Sequence, residues 1–133
     1  MNDMLLADTS FFVAFLNARD EHHRLAVEWM TESPTPMVTT EWVLAELGNY
    51  LGQGPNRRLF GSLVRALSVE KRMEIVPADH DSFLNAVNLY VRRPDKSWSF
   101  TDCASFCLMK ERKVTGALTT DHHFEQAGFR VLL

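Results

Sequence analysis

The chain has 133 residues, 46% apolar and 23% charged, the profile of one ordinary globular domain rather than a disordered segment. Its longest unbroken apolar run, Phe11 to Leu16, falls far short of the about 20 residues that cross a bilayer. Seventeen acids against 14 bases give a net charge of -3, which excludes a general electrostatic pull on nucleic acid and leaves only local bases or metal ions to supply one.

Met1-Asn2-Asp3-Met4 lacks the basic flank of a signal peptide. Met4-Leu5-Leu6-Ala7 reads as a first buried strand closed by Asp8-Thr9-Ser10. Phe11 to Leu16 and Leu25 to Met30 read as helical pieces, and Ser33-Pro34-Thr35-Pro36 breaks the chain. Met37-Val38-Thr39 is a short strand, after which Thr40 caps a helix reaching about Leu51. Gly52-Gln53-Gly54-Pro55 is a loop. Asn56 opens a helix to about Val69, with Leu59, Leu63, Val64 and Leu67 at helical spacing.

Met73 to Val76 is a third strand, ended by Pro77. Asp79 caps a helix from Asp81 to Val91 whose apolar face is Phe83, Leu84, Val87 and Val91. Arg92-Arg93-Pro94-Asp95-Lys96 is a charged loop. Thr101 or Asp102 caps a helix to about Lys113, apolar around most of its circumference and so expected to be buried. Val114 to Leu118, Asp121 to Ala127 and Arg130 to Leu133 read as strand, short helix and strand. Gly128 stands where a helix ends on a left-handed residue.

This alternation predicts an α/β fold in one domain spanning 1–133, with a mostly parallel sheet and helices packed against it. Parallel strands bring every strand-to-helix loop to one rim, where ligands of such sheets bind. Cys103 and Cys107 lie one helical turn apart, a poor disulfide spacing that fits a reducing cytoplasm. His22-His23 and His122-His123 lack the ligand spacing of a zinc site and read as surface or loop residues.

Acids collect at that rim. Asp8 closes the first strand, Asp121 follows the fourth, and Asp102 opens the buried helix. Each alone is an ordinary helix cap. Glu46 is not, because it lies inside its helix, beside the buried stripe Val43, Leu47 and Leu51. A carboxylate there needs a partner, either an arginine such as Arg57 or Arg58 or a cation shared with the three aspartates. Converging carboxylates repel one another, and a hard divalent ion such as Mg²⁺ resolves this with oxygen ligands.

Four segments carry a family resemblance: Leu6-Ala7-Asp8-Thr9-Ser10, Leu44-Ala45-Glu46-Leu47, Trp98-Ser99-Phe100-Thr101-Asp102-Cys103-Ala104-Ser105-Phe106, and Leu118-Thr119-Thr120-Asp121-His122-His123-Phe124-Glu125-Gln126-Ala127-Gly128-Phe129. In this order and spacing the chain resembles the PIN domains, and within them the VapC-type ribonucleases of bacterial toxin–antitoxin pairs. The resemblance implies a five-stranded parallel sheet in a three-layer α/β/α fold. It implies that Asp8, Glu46, Asp102 and Asp121 form the acidic quartet that holds Mg²⁺ or Mn²⁺. Ser10 and Thr101 fall where the family often carries a hydroxyl near the metal. A cognate antitoxin seated on the N-terminal helices and a homodimer are implied as partners.

The expected reaction is metal-dependent hydrolysis of RNA phosphodiester bonds, with Asp8 and Asp102 as direct ligands. Glu46 and Asp121 would bind a second ion, bind through water, or orient the nucleophile. Arg57, Arg58, Arg92, Arg93 and Lys96 are the candidate RNA contacts. A PIN nuclease of RNA maturation and a non-cleaving PIN-like binding module are the alternatives. A receiver domain fits poorly, because no lysine follows a late strand, and a haloacid-dehalogenase-type phosphatase would want Asp-x-Asp where Asp8-Thr9-Ser10 stands.

Overall fold

The computed structural model describes residues 3–133, so Met1 and Asn2 of the opening read above lie outside the described residues. The elements run in chain order as β1 (Leu5–Ala7), α1 (Thr9–Leu16), α2 (His23–Thr31), β2 (Met37–Thr40), α3 (Glu41–Tyr50), α4 (Asn56–Val69), β3 (Met73–Val76), α5 (His80–Arg92), α6 (Phe100–Arg112), β4 (Gly116–Leu118), α7 (His123–Gln126) and β5 (Arg130–Val131). All strand pairs are parallel, in the order β3-β2-β1-β4-β5. The expected α/β sheet is present.

The central strands β1, β2 and β4 are buried on both faces, which is why β1 and β4 read as short apolar runs, while the edge strands β3 and β5 expose Glu74 and Arg130. Leu5, Ala7, Met37 and Leu118 face one core with Phe11, Phe12, Leu47 and Leu67, while Leu6, Val38 and Ala117 face a second with Phe106, Met109 and Phe124. Helices α1 to α4 supply most of the first core and α5 to α7 most of the second, giving three layers. Gly116 sits where no side chain fits, since a Cβ there would lie 2.8 Å from Leu5 Cδ2. Gly128 follows α7 with φ of +95°, as its position after the helix predicts.

Several predicted elements match closely, including α4, β3, and the caps Thr40 and Asp79, whose side chains accept from Val43 N and Ser82 N. Two expectations need correction. Helix α6 is capped by Ser99, not by Thr101 or Asp102; Asp102 is its third residue and closes a capping box with Ser99. Three cap-competent residues within four positions, Ser99, Thr101 and Asp102, compete there, and the reciprocal hydrogen bonds favour Ser99. On α5 the fully buried residue is Ala86, while Phe83, Leu84 and Val91 stay largely exposed. Phe83 packs instead on Trp42 and Phe100 at the edge of the layer.

The chain crosses from β3 at one edge of the sheet to β4 on the far side of β1. The strand order therefore reverses between β1 and β4, and parallel sheets open a crevice at the carboxyl ends of such a pair.

Candidate active site

Asp8 and Asp121 leave that crevice from its two walls. Asp8 directly follows β1 and supplies the backbone start of α1, yet its side chain makes no capping hydrogen bond. Its carboxylate turns to β4, where Thr119 Oγ1 donates to Asp8 Oδ2 at 2.8 Å. The same Thr119 hydroxyl accepts the Asp121 backbone N–H at 3.0 Å. With the Thr119 proton on Asp8, Ser10 Oγ is the donor in its 3.1 Å contact with Thr119 Oγ1, and Ser10 Oγ also accepts from Thr120 N.

Glu46 arrives from α3. Its partner is not Arg57 or Arg58 but the hydroxyl of Thr9, which donates to Glu46 Oε1 at 2.5 Å. Arg57 instead donates to Gly52 O. Asp102 arrives from the first turn of α6, where Oδ2 accepts from Ser99 N at 3.0 Å within the capping box. One carboxylate, at the third position of its helix, therefore both braces α6 and faces the site.

His123 completes the arrangement. Its Nδ1 stands 3.0 Å from Asp102 Oδ2 and 3.3 Å from Asp121 Oδ1, and its backbone N–H donates to Asp121 Oδ1 at 2.9 Å. The surface reading holds for His122, which is exposed, but not for His123, whose side chain is mostly covered. Asp121, His122 and His123 together bring ligand-type atoms within 4.8 Å of one another.

All four acids line one cavity of about 910 Å³, and Ser10 and His123 line it too. Asp20 and Glu21, unmarked by the sequence reading, add two more carboxylates, and no lysine or arginine lines it. Asp8 and Asp102 are only 5% and 6% exposed. Burial pushes the Asp8 carboxyl up to about 7, opposed by the Thr119 hydrogen bond and reinforced by the charges of Asp102 and Glu46. Burial likewise raises Asp102, opposed by its bonds to Ser99 and His123. Among the described residues no lysine or arginine ion-pairs with any of the four.

Thr101 is not among the residues that line the cavity, nor are Arg57, Arg58, Arg92, Arg93 or Lys96. Arg93 pairs with Asp95 through two 3.0 Å bonds, pulling that carboxyl down to about 2, and lies over the Trp98 ring. Lys96 borders a separate cleft with Tyr90 and Trp98. Thr9, Thr119 and His123 escaped the sequence reading because their partners are set by strand adjacency and loop geometry. The Asp121–His123 spacing, an Asx turn opening a helix, was the one local signal present.

The PIN domain model matches residues 5–130. The chain belongs to the PIN domain family. It is 32% identical over 128 residues, 95% of each chain, to the 23S rRNA-specific endonuclease VapC20 of Mycobacterium tuberculosis. The crystal structure of that protein, described as a toxin that cleaves the sarcin–ricin loop, superposes with a TM-score of 0.83 over 96% of this chain and 98% of that one, at 26% identity. Two more solved structures share the fold: VapBC2 of Rickettsia felis, bound to a DNA fragment from its promoter, at a TM-score of 0.67 and 14% identity, and FitAcB of Neisseria gonorrhoeae at 0.68 and 18%. This chain covers 98% of itself and 97% of the other chain in both cases. Among the described residues no helix is long and apolar enough to cross a membrane.

Proposed function

We propose that this chain is a divalent-cation-dependent endoribonuclease, the toxin of a toxin–antitoxin pair. The observation that carries this reading is the convergence of Asp8, Glu46, Asp102 and Asp121 on one cavity with no lysine or arginine among the described residues that line it. An anionic phosphodiester is repelled by such a cavity unless a cation stands between. The likeness to a 23S rRNA-specific endonuclease supports RNA as the substrate and makes the large-subunit ribosomal RNA the first target to test.

The donor set fits Mg²⁺ or Mn²⁺, which take carboxylate oxygens and tolerate a nearby imidazole, better than zinc. Asp8, Asp102, Glu46 and Asp121 would hold the ion, whose charge neutralises the phosphoryl oxygens and brings water's ionisation toward neutral pH. Buried Asp8 and Asp102 would be direct ligands, each braced through a hydrogen bond so that little reorganisation would accompany reaction. Glu46 and Asp121, less enclosed, would complete the ion's ligand set directly or through water and so help to place the nucleophile.

No side chain here is poised as a covalent nucleophile. The Ser10 hydroxyl is engaged by Thr119 and the Thr120 amide. Burial holds the Cys103 thiol at about 11, far from a thiolate at neutral pH. Cleavage without a covalent enzyme intermediate follows.

RNA flanking the scissile bond would meet bases outside the cavity, with Arg57, Arg58, Arg92 and Lys96 as candidates that, among the described residues, form no salt bridge of the kind Arg93 makes with Asp95. A cognate antitoxin on the N-terminal helices, a homodimer, a single domain over 1–133 and a cytoplasmic setting belong to the same reading. Brief induction followed by mapping of new RNA 5′ ends tests it. Discrete new ends and growth arrest, both lost in Asp8→Asn and relieved by the neighbouring antitoxin gene, are expected. Unchanged RNA ends and normal growth would contradict it.

A further inference from the structure

We propose that His123 is a positioning residue of the site: its imidazole fixes Asp102 and Asp121 relative to each other and so sets their joint affinity for a divalent cation. This rests on the cation-dependent reading above and assigns one further residue to it.

Nδ1 of His123 faces two carboxylate oxygens, at 3.0 Å on Asp102 and 3.3 Å on Asp121. Ionised carboxylates only accept hydrogen bonds, so Nδ1 carries the proton. Asp102 comes from α6 and Asp121 from the loop after β4, and among the described residues no hydrogen bond joins the two acids to each other. The ring's hydrogen bond goes to Asp102 and the His123 backbone N–H holds Asp121 Oδ1, so one residue grips both acids, one through its ring and the other through its main chain. On Asp102 the His123 and Ser99 bonds fall on the same oxygen, Oδ2, and Oδ1 accepts none from the described residues.

The ring itself is fixed from behind. It sits on the first residue of α7, and the next residue, Phe124, is fully buried against Phe106 of α6. The imidazole is thus locked to the helix that carries Asp102. Two carboxylates clamped by one residue are pre-organised to share an ion, and loss of such a brace ordinarily weakens metal binding about 10- to 100-fold.

Mn²⁺ binding to the purified full chain without RNA, followed by the signal of free Mn²⁺ in electron paramagnetic resonance, reads this directly. Three variants separate position from bulk. His123→Ala removes the donor, His123→Asn places an amide N–H near Nδ1, and His123→Gln places it near Nε2. Binding weakened about 10- to 100-fold in Ala and Gln and near parental in Asn is expected, with kcat on RNA following the same order and KM little changed. Equal Mn²⁺ affinity in the parent and all three variants would overturn the proposal. Should His123→Ala fail to fold, the Asn and Gln pair decides, and like affinities in those two overturn it. A parent chain that binds no Mn²⁺ would instead overturn the cation reading itself.

Discussion

Thr119 Oγ1 donates to Asp8 Oδ2 at 2.8 Å across the seam between β1 and β4, and the same hydroxyl accepts the Asp121 amide at 3.0 Å. One side chain thus joins the two walls of the crevice and sets the distance between two of its acids. Thr119 is fully buried, so nothing else replaces its bonds. Thr119→Val keeps the shape and removes the hydroxyl. Stability should fall by about 1–3 kcal/mol, because a buried acceptor and a donor lose their partner. Urea unfolding measures this. Activity near neutral pH should fall too, since the lost bond favoured the ionised form of Asp8.

Burial raises the Asp8 carboxyl from its ordinary 3.8 to about 7. Below pH 4 it is protonated in the folded and unfolded chains alike. Between pH 4 and 7 the unfolded chain ionises first, so without metal this group lowers stability as pH rises, by up to about 1.4 kcal/mol per unit. Divalent cation should reverse the trend by binding the ionised form. Thermal melting with and without Mg²⁺ is expected to show a larger stabilisation at pH 7.5 than at pH 5. An equal shift at both would contradict the role of Asp8.

Asp8→Asn removes the charge that burial, Asp102 and Glu46 all disfavour, while its amide oxygen still accepts from Thr119. The variant should melt higher than the parent at pH 7.5 in EDTA and lose the Mg²⁺-dependent rise. Activity and stability then move in opposite directions, as they do where a site is built against the fold's own preference.

Ser99 closes the capping box that orients Asp102. Ser99→Ala should cost about 1 kcal/mol of stability and lower kcat through Asp102. Thr101→Ala, which touches neither cap bond, should cost less. Denaturant melts and initial rates of the two variants side by side check this.

What the sequence made legible follows the reach of local patterns. Strand β3, helix α4 and the Thr40 and Asp79 caps depend on neighbours within a few residues, and each was readable from spacing. The four acids were found because Glu46 sits where no cap is needed and the three aspartates follow strands that a parallel sheet brings to one rim. Their hydrogen-bond partners were not legible. Thr119 reaches Asp8 across 111 residues and Thr9 reaches Glu46 across 37, distances that only strand order and helix packing bring together. The exposed face of α5 was misread for a related reason: apolar periodicity marks a face but not whether this chain covers it.

The carboxylates of one cavity are proposed to hold a divalent cation on which RNA cleavage depends. Purified protein incubated with ribosomal RNA in Mg²⁺ or Mn²⁺, in EDTA, and as the Asp8→Asn variant tests it most directly. Cleavage at discrete sites in either metal, absent in EDTA and in the variant, is the predicted result. Cleavage at the parent rate in EDTA or by Asp8→Asn would contradict it.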